Sequence, residues 1–282
     1  KQFCGGMDTG RSPTFDDAAT VNWYPATIPS TKSAGLFATP GLTRLLSVDT
    51  ESCRGMFSQD GRTWAVVGDT LYELDLDANT ADTLGTIPND AKPVSFASNG
   101  RGGEQLAICG GGELKVFDLL TNTLSAAVTL PLTNAPACID FLDGYGLLLE
   151  ADSVRCYFSA LEDFTDFDAL DFFARSQTSD NFVAMGVLRD RVWLWGSEST
   201  EIYYDSGDAD TPFLPYPGAI INEGIVGPDA WTTDGENMFW LSQSSEGQGY
   251  MLRGVEGQAQ PISTDAIEFQ VAQATTLADT EA

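Results

Sequence analysis

Three observations predict an all-β fold, a β-propeller of four-stranded blades with an extended N-terminal arm. The first is a self-match: residues 68–88 align without a gap on residues 111–131, 43 positions later. Eight of the 21 positions are identical, namely Gly68/Gly111, Leu71/Leu114, Asp75/Asp118, Leu76/Leu119, Asn79/Asn122, Thr80/Thr123, Thr86/Thr129 and Pro88/Pro131. A period of about 40–50 residues made of short strands and turns marks a propeller blade. The second is a recurrence of turn pairs, Asp60-Gly61, Asp143-Gly144, Ser206-Gly207 and Asp234-Gly235. Such pairs supply the positive φ that tight hairpins need. The third is the form of the apolar runs. Arg191-Val192-Trp193-Leu194-Trp195 is nearly all apolar, as a strand buried on both faces should be, and long helical periodicity is scarce.

The elements follow in order. Residues 1–20 are polar and glycine-rich and read as extended or mobile. Val21-Asn22-Trp23-Tyr24-Pro25, Pro29 and Thr39-Pro40-Gly41-Leu42 leave room only for short extended pieces. Residues 1–44 are therefore an arm. The first residue is Lys1 and not Met, which reads as a processed chain or a fragment. The propeller spans 45–270. Blade one holds Arg54–Phe57, Thr63–Val67 and Leu71–Leu74; blade two, Pro93–Phe96, Gln105–Cys109 and Leu114–Phe117; blade three, Ala137–Phe141, Gly146–Leu149 and Arg155–Phe158. Blade four holds Val183–Leu188, Arg191–Trp195 and Glu201–Tyr204; blade five, Ala230–Thr232, Met238–Leu241 and Gly249–Leu252. The third strands end near Asp75, Asp118, Ser159, Asp205 and Gly254, at spacings of 43, 41, 46 and 49. Residues Phe164–Phe173 read as a short helix or an irregular loop. Residues 271–282 are a tail or the start of a further blade. At least five blades are visible, so the ring is five-bladed or closed by residues outside this chain.

Composition removes several function classes. With 43% apolar residues the chain can bury a sizeable core. It has no run of 18 apolar residues, hence no membrane span, and its start lacks the apolar stretch of a signal peptide. Five cysteines (Cys4, Cys53, Cys109, Cys138, Cys156) form no C-x-x-C pair, so they read as buried thiols in a reducing compartment and suggest no metal cluster. With no His, His-dependent triads and His-ligated metals are excluded. No cofactor is indicated. The net charge is −27, from 41 acidic and 14 basic residues. Phosphate backbones are held by Lys and Arg, and Arg101, Arg155, Arg175, Arg189 and Arg191 are scattered without a basic stripe. The acidity fits solubility in a salty medium, or a passage that must not stick to a polyanion.

Candidate sites have bland readings beside the sharp ones. Ser58-Gln59-Asp60-Gly61-Arg62-Thr63-Trp64 resembles the Asp-box hairpin of sialidase-like propellers, whose job is a turn with Trp packed beneath. A glycosidase would need a positioned carboxylate pair, or a Tyr/Glu pair with clustered arginines. In so acidic a chain Asp166/Asp168 and Asp208/Asp210 carry little weight. Asp75-Leu76-Asp77-Ala78-Asn79 opens like a calcium loop, but Thr80 and Thr86 fill the slots for its Gly and terminal Glu. Gly110-Gly111-Gly112 lacks the Lys-Ser/Thr of a phosphate loop and reads as a hairpin turn.

Two blocks carry a resemblance. The first is Val21-Asn22-Trp23-Tyr24-Pro25, then Ser30-Thr31-Lys32 and Leu36-Phe37-Ala38-Thr39-Pro40-Gly41-Leu42. The second runs from Arg191-Val192-Trp193-Leu194-Trp195-Gly196 through Asn237-Met238-Phe239-Trp240-Leu241 to Ile262-Ser263-Thr264-Asp265-Ala266-Ile267-Glu268. Together they resemble the packaged-DNA stabilisation, or tail accessory (hub, nozzle), proteins of short-tailed bacteriophages, over most of residues 21–268. The blades between the blocks match in pattern only. Family members usually continue past the second block, and this chain is unusually acidic.

The resemblance implies a structural virion protein and not an enzyme. It would form a ring with itself, hexameric by that resemblance, below the portal-adaptor (head-to-tail connector) complex. It would extend the DNA conduit, help retain packaged DNA, and serve as attachment point for tailspike or tail fibre and tail needle proteins. Genomic DNA would pass without sequence-specific binding. The protein would be made in the host bacterial cytoplasm and reside in the virion tail. The resemblance marks Asn22, Tyr24, Pro25, Pro40, Gly41, Trp193, Trp195, Trp240, Ser263 and Thr264 as structural or interface residues, and no catalytic or metal-binding residue. The competing reading is a carbohydrate-binding or glycosidase-like β-propeller.

Overall fold

In the computed structural model the described residues are 8–9, 17–18, 22–28, 33–209, 211–243, 249–255, 257–274 and 276–281. Cys4 and Asp210 lie outside them. Two small antiparallel sheets come first. Strand β1 (Asp8–Thr9) pairs with β2 (Asp17–Ala18), and β3 (Trp23–Ile28) with β4 (Ser33–Ala38).

Five four-stranded antiparallel sheets follow, each taking its strands in chain order. Blade one is β5 (Cys53–Gln59), β6 (Arg62–Val67), β7 (Thr70–Asp75) and β8 (Thr80–Thr86). Blade two is β9 (Ser95–Ser98), β10 (Gln105–Gly110), β11 (Glu113–Asp118) and β12 (Thr123–Leu124), with the short helix α1 (Gly100–Gly103) after β9. Blade three is β13 (Pro136–Leu142), β14 (Tyr145–Glu150), β15 (Arg155–Phe158) and β16 (Phe172–Ala174). Blade four is β17 (Phe182–Leu188), β18 (Arg191–Gly196), β19 (Thr200–Asp205) and β20 (Phe213–Ile221). Blade five is β21 (Trp231–Thr233), β22 (Met238–Gln243), β23 (Gly249–Val255) and β24 (Gln258–Pro261). Helix α2 (Asp265–Val271) then lies against β23. The all-β propeller expected from the sequence is thus present.

The positions kept by the self-match are those the backbone constrains. Gly68 and Gly111 have φ of 59° and 61°, and Asn79 and Asn122 have φ of 55° and 54°. A Cβ on Gly111 would sit 2.2 Å from the Pro88 carbonyl oxygen. Asp75 accepts the amides of Asp77 and Ala78, and Asp118 those of Leu120 and Thr121. Leu71 and Leu114 are fully buried. Blades one, three and four also share a feature the sequence conceals. Each first strand shifts register two residues in, between Cys53 and Gly55, Pro136 and Cys138, and Phe182 and Ala184. Such bulges bend a strand.

The second strands are buried nearly end to end, β18 from Val192 to Gly196 included. Those of blades two, three and four are covered on both faces by neighbouring blades, which explains their unbroken apolar runs. Residues 164–171 form an irregular loop, not a helix, with Phe164 and Phe167 buried.

Among the described residues, four apolar clusters fill the four junctions from blades one and two to blades four and five. Hydrogen bonds link the first strands in turn. Val94 N–H donates to Arg54 O, Ile139 N–H to Ser95 Oγ, and Val187 N–H to Asp140 Oδ2. Between blades five and one lies an open cavity of about 620 Å³, lined by Cys53–Phe57, Asp229, Trp231 and Glu281. Met56 there is 62% exposed.

Candidate functional site

The described part of the first family block falls on β3, β4 and the coil after them, and Val21 and Ser30-Thr31-Lys32 lie outside the described residues. Asn22 takes φ of 59°, and its carbonyl accepts both the amide and the hydroxyl of Thr39. Tyr24 stacks on Phe37 with ring centroids 6.0 Å apart, yet each stays nearly half exposed. Pro25 sits in β3 opposite Leu36. Pro40 and Gly41 are exposed in the coil leading to blade one. The hairpin therefore presents aromatic surface to solvent, a candidate contact.

The second block is buried. Trp193, Trp195 and Trp240 lie in the core between blades four and five, each pair within 6.1 Å between ring centroids. The Trp240 indole donates to Gly224 O at 3.1 Å. The Trp193 and Trp240 rings also fill the space beside Gly254, where a Cβ would come within 2.8 Å of both. Ser263 Oγ accepts the Met251 amide and donates to Glu268. Thr264 is the extended residue before α2 and makes no side-chain cap.

One cavity at the propeller axis is about 170 Å³, lined by first strands of blades two to five. It shares Phe96, Asp229 and Trp231 with the larger open cavity, and Ala137, Val183, Pro228 and Asp229 with a third of about 430 Å³, so the space at the axis is not confined to this pocket. Asp140 lines it, accepting the Phe141 and Val187 amides at 2.8 Å each. Desolvation there pushes its carboxyl up to about 6, against the two amides that favour the charged form. The Asp229 carboxyl nearby is also raised, by burial and by Glu281. Cys138, on the same axis, has some accessible surface, but that surface faces the narrow cavity, and burial pushes the thiol well up. Burial likewise raises Cys109, to about 12, and Cys156. Cys53 is exposed, which corrects the expectation of buried thiols at that position.

The Asp-box-like segment is a hairpin turn: Asp60 and Gly61 have φ of 50° and 81°, and Trp64 is packed beneath. Asp168 and Asp208 accept nearby amides as turn formers. The Asp75 and Asp118 loops do the same. No group of three metal-binding side chains occurs among the described residues.

Two clusters went unread in the sequence. Arg175, fully buried, bonds Glu201, Asp180 and Ser199. Glu201, also buried, further accepts from Thr178 and Tyr203. The other corrects the view of the arginines as scattered. Arg189 and Arg191 meet Arg253 in one cleft between blades four and five.

Five four-stranded meander sheets, packed face to face through four apolar junctions, are a scaffold of the propeller class. The family profile described as "Bacteriophage P22 Gp10, beta-propeller" matches residues 2–281. The chain belongs to this phage structural family. No curated protein sequence matches it. Among solved structures it is similar to the extracellular domain of the one-component system BT4673 from B. thetaiotaomicron, with a TM-score of 0.52 at 13% identity. That match covers 80% of this chain and 29% of the other, so the chain spans less than a third of that protein. At this identity the likeness concerns the fold alone.

Proposed function

We propose that the protein is a ring-forming hub or nozzle component of a phage tail, below the portal-adaptor complex. It would extend the DNA conduit, help retain the packaged genome, and anchor tailspike or fibre and needle proteins. Membership of the phage stabilisation family over residues 2–281 carries this reading. A head-to-tail contact that closes makes a ring, and the exposed Trp23, Tyr24 and Phe37 of the hairpin offer apolar surface for one. Genomic DNA would slide past an acidic wall without specific contacts. No helix among the described residues is long and apolar enough to cross a membrane.

The test is imaging of purified particles together with light scattering of the isolated protein. The expected results are density for the propeller in a ring below the portal, and self-association that falls when residues 22–41 are deleted. Absence of the protein from purified particles overturns the proposal.

A further inference from the structure

We propose that the cleft between blades four and five binds a carboxylated sugar. Its volume is about 720 Å³, within the roughly 300–1,000 Å³ typical of small-ligand sites. Arg189, Arg191 and Arg253 converge there, three of the ten arginines of a chain with net charge −27. Arg189 occupies the β17–β18 turn with φ of 58°. The corresponding turns of blades one and three put Asp60 and Asp143 at φ of 50° and 49°, each followed by Gly. Left-handed backbone suits Asp, Asn and Gly and disfavours a long side chain. Blade four thus places an arginine against local preference, at the rim of a cleft, and this arginine has no hydrogen bond or ion pair among the described residues.

The other two arginines are held in place but not saturated. The Arg191 guanidinium lies 3.7 Å over the Tyr216 ring. Its Nε is 3.4 Å from Asp190, yet out of line for a hydrogen bond. Arg253 Nη2 donates to Asn237 at 2.9 Å, while its own Nε–H is buried without an acceptor. Both of these Nε–H groups are buried, so the unpartnered donor at the rim of the cleft is the Arg189 guanidinium. Planar guanidinium forks fit a carboxylate. Asp190 and Glu236 also line the cleft; they would repel a bare polyanion but can accept sugar hydroxyls, and the half-buried Tyr216 adds ring surface. Carboxylate, hydroxyls and an apolar ring face together describe a uronic-acid type of sugar. The inference is independent of the tail-ring reading.

Saturation-transfer NMR on the full chain, with glucuronate, glucose and inorganic phosphate as probes, tests it. Glucuronate should give ring-proton signals, glucose signals at least about tenfold weaker, and equimolar phosphate should leave the glucuronate signals in place. Arg189→Asn suits the left-handed turn and should keep Tm unchanged while weakening glucuronate about tenfold, the loss of one charged contact. Arg253→Lys keeps the charge, loses the fork, and should weaken it less. Equal signals from glucose, displacement by equimolar phosphate, or unchanged binding in Arg189→Asn would overturn the proposal.

Discussion

Glu201→Ala should be the most damaging single change at the junction of blades three and four. Glu201 and Arg175 have side chains 1% and 0% exposed, with Arg175 Nε 3.1 Å from Glu201 Oε1. The same carboxylate takes the amides of Gln177 and Thr178, both at 3.2 Å, and the Tyr203 hydroxyl at 2.9 Å. Removing it strands a buried guanidinium with Asp180 as its remaining ion-pair partner, and leaves three amides, of Ser176, Gln177 and Thr178, without that acceptor. Breaking a buried pair from one side costs about 3–5 kcal/mol. With an unfolding entropy of about 2.1 cal/mol/K per residue, that is a fall in Tm of about 5–8 °C for a chain of this length. The Tyr203 hydroxyl is raised by burial first and by Glu201 second, so its titration should move back towards the ordinary tyrosine range in the variant. Calorimetry reads the first quantity and ultraviolet titration the second. The double variant Arg175→Met/Glu201→Met should cost less than the sum of its parts, because it removes both charges together. A loss under about 1 kcal/mol for Glu201→Ala would refute the reasoning, since an exposed pair gives that much.

Two further changes probe the axis and a packing contact. Asp140 has a folded-state pKa raised to about 6, above the ordinary value of about 3.9, so the native state binds the proton more tightly. Its stabilising contribution is complete below about pH 4 and is lost as pH rises through about 6. Asp140→Asn should be less stable than the parent at pH 4, where it gives up an acceptor for the Val187 amide, and the gap should narrow by about 2 kcal/mol by pH 7. A gap independent of pH in denaturant titrations would count against the raised carboxyl. Gly146→Ala would put a Cβ 2.4 Å from the Phe164 ring; overpacking of this kind should cost about 1–3 kcal/mol, read as a lower unfolding midpoint, and an unchanged midpoint would mean that Phe164 is free to move.

What was legible in the sequence is what the backbone enforces locally. Gly68, Asp75 and Asn79 recur at Gly111, Asp118 and Asn122 because a positive φ or a side-chain acceptor is needed there, and the strand order follows from such turns. Trp193-Leu194-Trp195 was legible because a strand covered on both faces tolerates no polar side chain in its middle. The cleft was not. Arg189, Arg191 and Arg253 lie on a turn, a second strand and a third strand of two different blades, and only stacking of the sheets brings them together. Glu201 was hidden for another reason: in Thr200-Glu201-Ile202-Tyr203 it reads as the solvent-facing member of an alternating strand. Its partner Arg175 is supplied by the chain after β16, 26 residues earlier.

The acidity has two parts that mutation can separate. Asp75, Asp118, Asp205 and Asp234 all accept backbone amides in exposed turns, so some of the 41 acidic residues shape the chain. Asn can accept the same hydrogen bonds without charge, and Asn79 and Asn122 already hold left-handed positions in this protein. The turn amides hold the Asp118 carboxyl, and the Asn237 side chain with such amides the Asp234 carboxyl, below the usual carboxylate range, so there the charge adds to the hydrogen bond. The variant carrying Asn at all four positions should keep its Tm within a few degrees, each exposed substitution falling within about 0.5 kcal/mol. Its self-association at low salt should rise, because four negative charges per copy no longer hold copies apart, and 0.5 M salt should erase the difference from the parent. A large fall in Tm would show that the carboxylates themselves hold the turns. Unchanged association at low salt would remove repulsion between copies as a reason for the charge.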